Sequence, residues 1–117
     1  MKLVIWHKFP SLNEYIAAER TNRYKAAKLK KEITDLVALA CKSQKIPKYQ
    51  RARFRFVWIC KNKKMDPDNV AYNCKGVFDG MVHAGVLPND GWDNVKGIVH
   101  DFEIGADYGV EIEIEEA

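Results

Sequence analysis

Apolar and polar residues alternate along this chain with two different periods. In "RARFRFVWIC" (51–60), Arg51, Arg53 and Arg55 fall on one side, and Phe54, Phe56, Trp58 and Cys60 on the other. A period of two belongs to a strand. The apolar set is expected to face a core. The arginines then form a basic ladder on the opposite face, or a charged guard on a sheet edge. "KLVIWH" (2–7) reads as a short strand. Two further strands are expected near the end of the chain: about 95–104, with Ile98, His100, Phe102 and Ile104 on one face, and about 109–115, where Val110, Ile112 and Ile114 alternate with glutamates. Gly105 and the "ADYG" beside it supply the turn between them. Elsewhere the period is helical. Leu29, Ile33, Leu36, Val37 and Ala40 make one apolar stripe within 22–43. Val70, Cys74, Val77, Phe78 and Met81 make another within 67–84, closed by Gly85 and Pro88. Ser11 and Glu14 have capping-box spacing, so a helical turn can start there. The order β-α-β-α-β-β predicts one α+β domain over residues 1–117, a mixed sheet with two main helices packed on it.

Composition adds limits. At 47% hydrophobic and 30% charged the chain is ordinary for a globular domain. Three cysteines, Cys41, Cys60 and Cys74, include no C-x-x-C pair, and read as reduced, mostly buried thiols. Met1–Pro10 lacks the long apolar run of a signal peptide, and no stretch is apolar for long enough to span a membrane. These features lead us to expect a cytoplasmic protein with no membrane partner. Charge is divided unevenly. Residues 1–64 hold 17 Lys and Arg against 4 Asp and Glu, net +13; residues 65–117 hold 2 against 12, net −10. Either one basic surface serves a polyanion, or the two halves neutralise each other within the fold.

The densest chemistry lies in "KKMDPDNVAYNCKGVFDGM" (63–81). Asp66 precedes Pro67, so it is held extended and suits an N-cap, with Asp68 in the first turn. Capping alone accounts for "DPDN". On a continuous helix, however, Asp68, Lys75 and Asp79 share one face, opposite the apolar stripe, and Lys75 and Asp79 form an i,i+4 pair. The loop "LPNDGWDN" then brings Asp90 and Asp93 back toward that end. Three carboxylates beside a lysine suit metal-assisted phosphodiester hydrolysis. Mg²⁺ takes a few carboxylates and keeps waters, the ion activates a water, and a lysine neutralises phosphate charge. His7, His83 and His100 are dispersed and make no competing soft-metal site.

"DPDNV" (66–70), "KGVFDGM" (75–81) and "AGVLPNDGWDNV" (84–95), in this order, resemble the RusA-type Holliday junction resolvases, small endodeoxyribonucleases of bacteria and their phages. The likeness covers most of the chain, and "PSLNEY" (11–15 and the proline before) looks like the family's N-terminal element. It implies a Mg²⁺-dependent endonuclease, with Mn²⁺ as an alternative ion, that resolves four-way DNA junctions by paired symmetric nicks in recombination and repair. It implies Asp66, Asp68 and Asp90 as metal ligands and Lys75 as a further catalytic residue. Spacing from Lys75 favours Asp90 over Asp93. In the family the lysine follows the aspartate pair by about one helical turn; here it follows by about two, which keeps its face but moves it ~4.5 Å along the axis.

The same likeness implies a homodimer, whose two-fold axis matches that of the junction, and no organic cofactor. Arg51, Arg53, Arg55, Lys61, Lys63 and Lys64 run toward Asp66. Together with Asn13, Arg20, Arg23 and Lys28 they are expected to hold phosphates without reading bases. Trp58 reads as core. Trp6 and Trp92 read as packing residues too, although Trp92, close to Asp90, is also placed to stack on an unpaired base. Two other functions fit these residues: a nuclease acting on other branched DNA, and a non-catalytic nucleic-acid-binding domain whose acids merely cap a helix.

Overall fold

All four strand patterns become strands. In the computed structural model, which describes residues 1–117, β1 (Lys2–Trp6), β2 (Ala52–Cys60), β3 (Val95–Ile104) and β4 (Gly109–Glu116) form one sheet in the order β1-β4-β2-β3. β2 runs antiparallel to β4 and parallel to β3, so the sheet is mixed. Register places Leu3, Ile112, Phe56 and His100 in one row, and Ile5, Val110, Trp58 and Phe102 in the next. These side chains share a face, and α-helices cover it.

Three helices of ten or more residues and one short one do the covering: α1 (Leu12–Thr21), α2 (Arg23–Ser43), α3 (Pro67–Ala71) and α4 (Cys74–His83). The turn expected at Ser11 is the start of a full helix. Ser11 Oγ accepts the Glu14 N–H at 3.0 Å, satisfying one of the free donors at the start of α1. Asn22 then ends α1 and caps α2, its Oδ1 accepting from Tyr24 N at 2.9 Å. The core joins Phe54, Phe56 and Trp58 of β2 to Val77, Phe78 and Met81 of α4 and to Ile33 and Val37 of α2. Phe78 meets Phe54 and Phe56 edge-on. Trp58 is fully buried, as its place in the alternation requires.

One expected element is corrected. Residues 67–84 are two helical segments, α3 and α4, joined at Tyr72 and Asn73. Asn73 is 2% exposed, and its amide donates to Pro10 O at 2.8 Å and to Val70 O at 2.9 Å. Backbone bonds at the joint are of the tighter i to i−3 kind, Asn73 N to Val70 O and Lys75 N to Tyr72 O. Asn73 thus ties the joint to the segment leading into α1.

No helix is long and apolar enough to cross a membrane. The cysteines are free; Cys41 and Cys60 are buried, and burial pushes the Cys41 thiol up to about 11.

Candidate active site

α4 is amphipathic. Its apolar side closes on the sheet, which turns Lys75 and Asp79 outward. Two glycines let α4 lie close to α2: a Cβ on Gly76 would stand 2.7 Å from Ile33 Cγ2, and one on Gly80 would stand 2.5 Å from Val37 Cβ. Beyond α4 the chain reverses at Gly85, whose φ of +81° is the left-handed conformation that glycine accepts without strain. The loop then returns along the helix and delivers Asp90.

Lys75 is the hub of the result. Its Nζ donates to Asp79 Oδ1 at 3.0 Å and to Asp90 Oδ2 at 3.0 Å. The first bond is the expected i,i+4 pair. The second joins residues fifteen positions apart; of the two loop acids Asp90 meets Lys75, and Asp93 joins no ion pair. The hydrogen bonds from Asp79 and Asp90 raise the Lys75 pKa above its ordinary value against a smaller opposing effect of burial. Lys75 is therefore an ammonium at neutral pH, a fixed positive charge and not a base.

Asp66 stands at the N-cap position of α3 in extended conformation (φ −65°, ψ 150°), but its side chain makes no capping hydrogen bond. It faces two neighbouring hollows. One is a polar cleft of about 330 Å³ whose lining includes Asp66, Asn13, Lys64, Lys8, Glu14 and Tyr108. The other, also about 330 Å³, is more apolar and includes Asp66, Lys63, Trp58, Val70 and Phe102. Asn13, Lys63 and Lys64 therefore do come together with Asp66. Lys8, Glu14 and Tyr108 were not singled out from sequence. Lys8 Nζ lies 5.1 Å from the Tyr108 ring centroid, and only the fold brings the end of β1 to the start of β4. Asp68 lies in the first turn of α3, exposed and free of ion pairs.

The expected metal centre is not gathered. No group of three or more His, Cys, Asp or Glu side chains is close enough to hold an ion. The break between α3 and α4 is the reason on the α3 side, because the shared face of Asp68 and Lys75 presupposed one continuous helix. On the other side, Asp90 spends an oxygen on the Lys75 ammonium. Asp66, Asp68 and Asp90 in this arrangement do not fit a Mg²⁺ site.

The arginine ladder is also placed differently from expectation. Odd-numbered residues of β2 point away from the helices, so Arg53 and Arg55 lie on the face of the sheet opposite α4. Arg55 pairs with Asp101 of β3 at 2.8 Å and Glu113 of β4 at 3.7 Å. Arg53 crosses Gly97 to donate to Lys96 O at 3.2 Å. On this face the two halves of the chain do neutralise each other. Arg51 is exposed just before β2. Lys61, Lys63 and Lys64 in the loop after β2, and Arg20, Arg23 and Lys28 on α1 and α2, are exposed and join no ion pair. Trp92 is 94% exposed, so the packing role expected of it does not hold; Trp6 is 60% exposed.

Comparison with protein-family models finds no match for this chain, and comparison with curated proteins finds none.

Proposed function

We propose that the protein is a structure-selective endodeoxyribonuclease of the RusA type, acting as a homodimer on four-way DNA junctions and resolving them by paired symmetric nicks in recombination and repair. Its setting would be the cytoplasm of a bacterium, with the gene bacterial or phage-borne. The observation that carries the reading is the Lys75–Asp90 contact at 3.0 Å. Two residues that the resemblance names as catalytic, fifteen positions apart, meet on one surface. The unused cap at Asp66 supports it, since that carboxylate contributes no capping bond to the helix it precedes.

In this reading the Lys75 ammonium offsets the negative charge that builds on a phosphate as it is attacked. Asp79 and Asp90 hold that ammonium in place. Asn13, Lys8 and Lys64 line a cleft that suits a sugar-phosphate strand running past Asp66. The exposed Trp92 offers a face for an unpaired base at the junction. Dependence on Mg²⁺ or Mn²⁺ belongs to the proposal through the D-x-D pattern. No catalytic step is assigned to the ion here, because the three aspartates are not gathered around one position.

That separation of the acids favours a second reading, a non-catalytic domain that binds branched nucleic acid. One assay distinguishes the two. The protein is incubated with a synthetic four-way junction, a Y-fork and linear duplex, with Mg²⁺ and then with a chelator. A resolvase nicks the junction in symmetric pairs, stops with chelator and barely cuts duplex. Binding with no cutting under Mg²⁺ or Mn²⁺ establishes the second reading, and equal cutting of all three substrates removes junction selectivity.

A further inference from the structure

Asn73 closes the joint between α3 and α4 with only part of its side chain. Its amide nitrogen donates to Pro10 O at 2.8 Å and to Val70 O at 2.9 Å. Both partners are carbonyl oxygens, so the nitrogen has to face them and the amide oxygen is left over. That oxygen, in a residue 2% exposed, has no hydrogen-bond partner. A buried acceptor without a donor weakens a fold and calls for a reason. Beside it lies a hollow of about 180 Å³, whose lining includes Tyr15 of α1, Ile33 of α2, Tyr72 of the joint and Asn73 itself. Asn73 and Ile33 are buried members of this lining and form its floor. The Tyr15 and Tyr72 rings meet at 6.0 Å between centroids, tilted by 44°, and make an aromatic wall. Two exposed lysines stand at the mouth, Lys30 from α2 and Lys75 from α4. Lys30 joins no ion pair.

We propose that this hollow seats the base of one unpaired nucleotide of a DNA strand, with the phosphate of that nucleotide held at the mouth by Lys30 and Lys75. Three parts of the hollow match three parts of a nucleotide. The two ammonium groups at the mouth suit a phosphate. The tyrosine wall suits a flat ring that stacks on it. The Asn73 oxygen at the floor needs an N–H, and every base has one on its pairing edge. That edge is free only when the base is out of the duplex. Size agrees with a single base. Pockets that take drug-sized molecules run to ~300–1,000 Å³, and this one is smaller, on the scale of one flat ring system. An aromatic or fatty carboxylate would fill the wall and the mouth but leave the Asn73 oxygen unpaired. The inference rests on the nuclease reading for the place of Lys75 beside a DNA phosphate, and it adds where the base next to that phosphate goes.

Nuclear magnetic resonance reads the hollow directly. Isotope-labelled protein is titrated in chelator, where no metal-dependent cutting intrudes, with four probes: a short single strand of mixed sequence, the same sugar-phosphate strand without bases, a deoxynucleoside monophosphate, and inorganic phosphate. The single strand is expected to shift the Asn73 side-chain amide and the Ile33 backbone amide. The mononucleotide should shift the same two signals with at least ~10-fold weaker affinity, because it lacks the flanking phosphates. The baseless strand and inorganic phosphate should leave both unmoved. Tyr15→Ala should weaken binding of the single strand at least ~5-fold, and Lys30→Ala should weaken it several-fold. No shift with the single strand overturns the proposal. Equal shifts with the baseless strand or with phosphate also overturn it, since they reveal a cationic patch that takes any phosphate. A mononucleotide that binds as tightly as the strand overturns the assignment to DNA. These wild-type titrations decide the matter even if a variant fails to fold. A protein that gives the expected shifts and never cuts a junction keeps the base pocket and loses the nuclease reading; one that cuts and gives no shifts does the reverse.

Discussion

Gly80→Ala should destabilise the protein, although alanine is the better helix former. In a helix interior the exchange alone is worth about 1 kcal/mol in favour of alanine. Against this stands the approach of α4 to α2. The new methyl would sit 2.5 Å from Val37 Cβ, 2.6 Å from Val37 Cγ1 and 3.0 Å from the Thr34 carbonyl oxygen. A β-carbon and a carbonyl oxygen are fixed by the backbone, so a rotamer change does not relieve the clash and the helices must part. Overpacking of this kind costs roughly 1–3 kcal/mol, and a contact to rigid atoms belongs at the upper end. The net is a loss of about 2 kcal/mol. For a domain of this size that lowers Tm by about 8 °C. Gly76→Ala is the control. Its methyl would meet one methyl of Ile33, Cγ2, at 2.7 Å with the next atom at 3.6 Å. That side chain can shift, so the two effects should nearly cancel and leave Tm within about 3 °C. Thermal melts of the three proteins, followed by circular dichroism, provide the measurement. A Gly80→Ala protein that melts at or above the wild-type temperature would refute the account of helix packing, and with it the reason α4 lies where it does.

Lys75→Ala removes two ion pairs from a surface position; it should change stability by no more than about 1 kcal/mol while lowering junction cleavage at least ~100-fold, and a large fall in Tm with cutting unchanged would contradict its assigned role. Asp68→Asn should abolish cutting and leave junction binding intact or tighter, since a negative charge near phosphate is lost; gel-shift and cleavage assays on one preparation check this. Replacing Lys63 and Lys64 by alanine should weaken junction binding and flatten its salt dependence, whereas Arg55→Ala should leave affinity unchanged, because Arg55 already spends its charge on Asp101 and Glu113. Burial lowers the His100 pKa below its ordinary 6.5. The unfolded chain therefore takes up the proton first, so stability present above that value declines as pH falls from there through the lower folded pKa; denaturant midpoints across this range should show the decline, and His100→Gln should reduce it.

The elements were legible because each rests on short-range pattern. Alternation in 51–60 and 109–115, and the i, i+4, i+7 stripes of α2 and α4, are set by which side of an element meets the core. The joint at Tyr72 and Asn73 was not legible. Its cause is an amide bonded to Pro10 O, 63 positions away, and local propensity contains nothing of that. Arg55 was read as free for a similar reason. Alternation shows which face an arginine takes, but not that β3 and β4 will flank β2 and bring Asp101 and Glu113 beside it. The return of the loop toward the polar face of α4 was anticipated, because a helix followed by a reversing loop leaves few places for the loop to go; that Asp90 would meet Lys75 in an ion pair, and not join Asp66 and Asp68 in one cluster, was not. Ile98, Phe102 and Ile104 were assigned to one face correctly. Their exposure follows from strand order, since an edge strand outside the helical layer keeps its apolar side in water unless another strand covers it.

Strand order also determines where a polyanion can bind. Of the cations once counted toward a single basic surface, Arg55 and Lys2 face carboxylates of the acidic C-terminal half, Lys2 with Glu111 at 3.6 Å. The open face of the sheet is thereby largely balanced. The unbalanced charge lies at the other side: in the loop of Lys61, Lys63 and Lys64, and on α1 and α2 with Arg20, Arg23 and Lys28. That loop leads directly into Asp66, and the cleft beside Asp66 is lined by Lys8 and Lys64. A strand drawn to these cations passes the carboxylate of Asp66. An acid placed in a positive groove opposes binding of any nucleic acid, and Asp66 is not repaid by a capping bond or an ion pair within the fold. A domain that only bound DNA would gain affinity by replacing it with asparagine. Its presence in the groove favours the proposal of chemistry on the strand over simple retention of it.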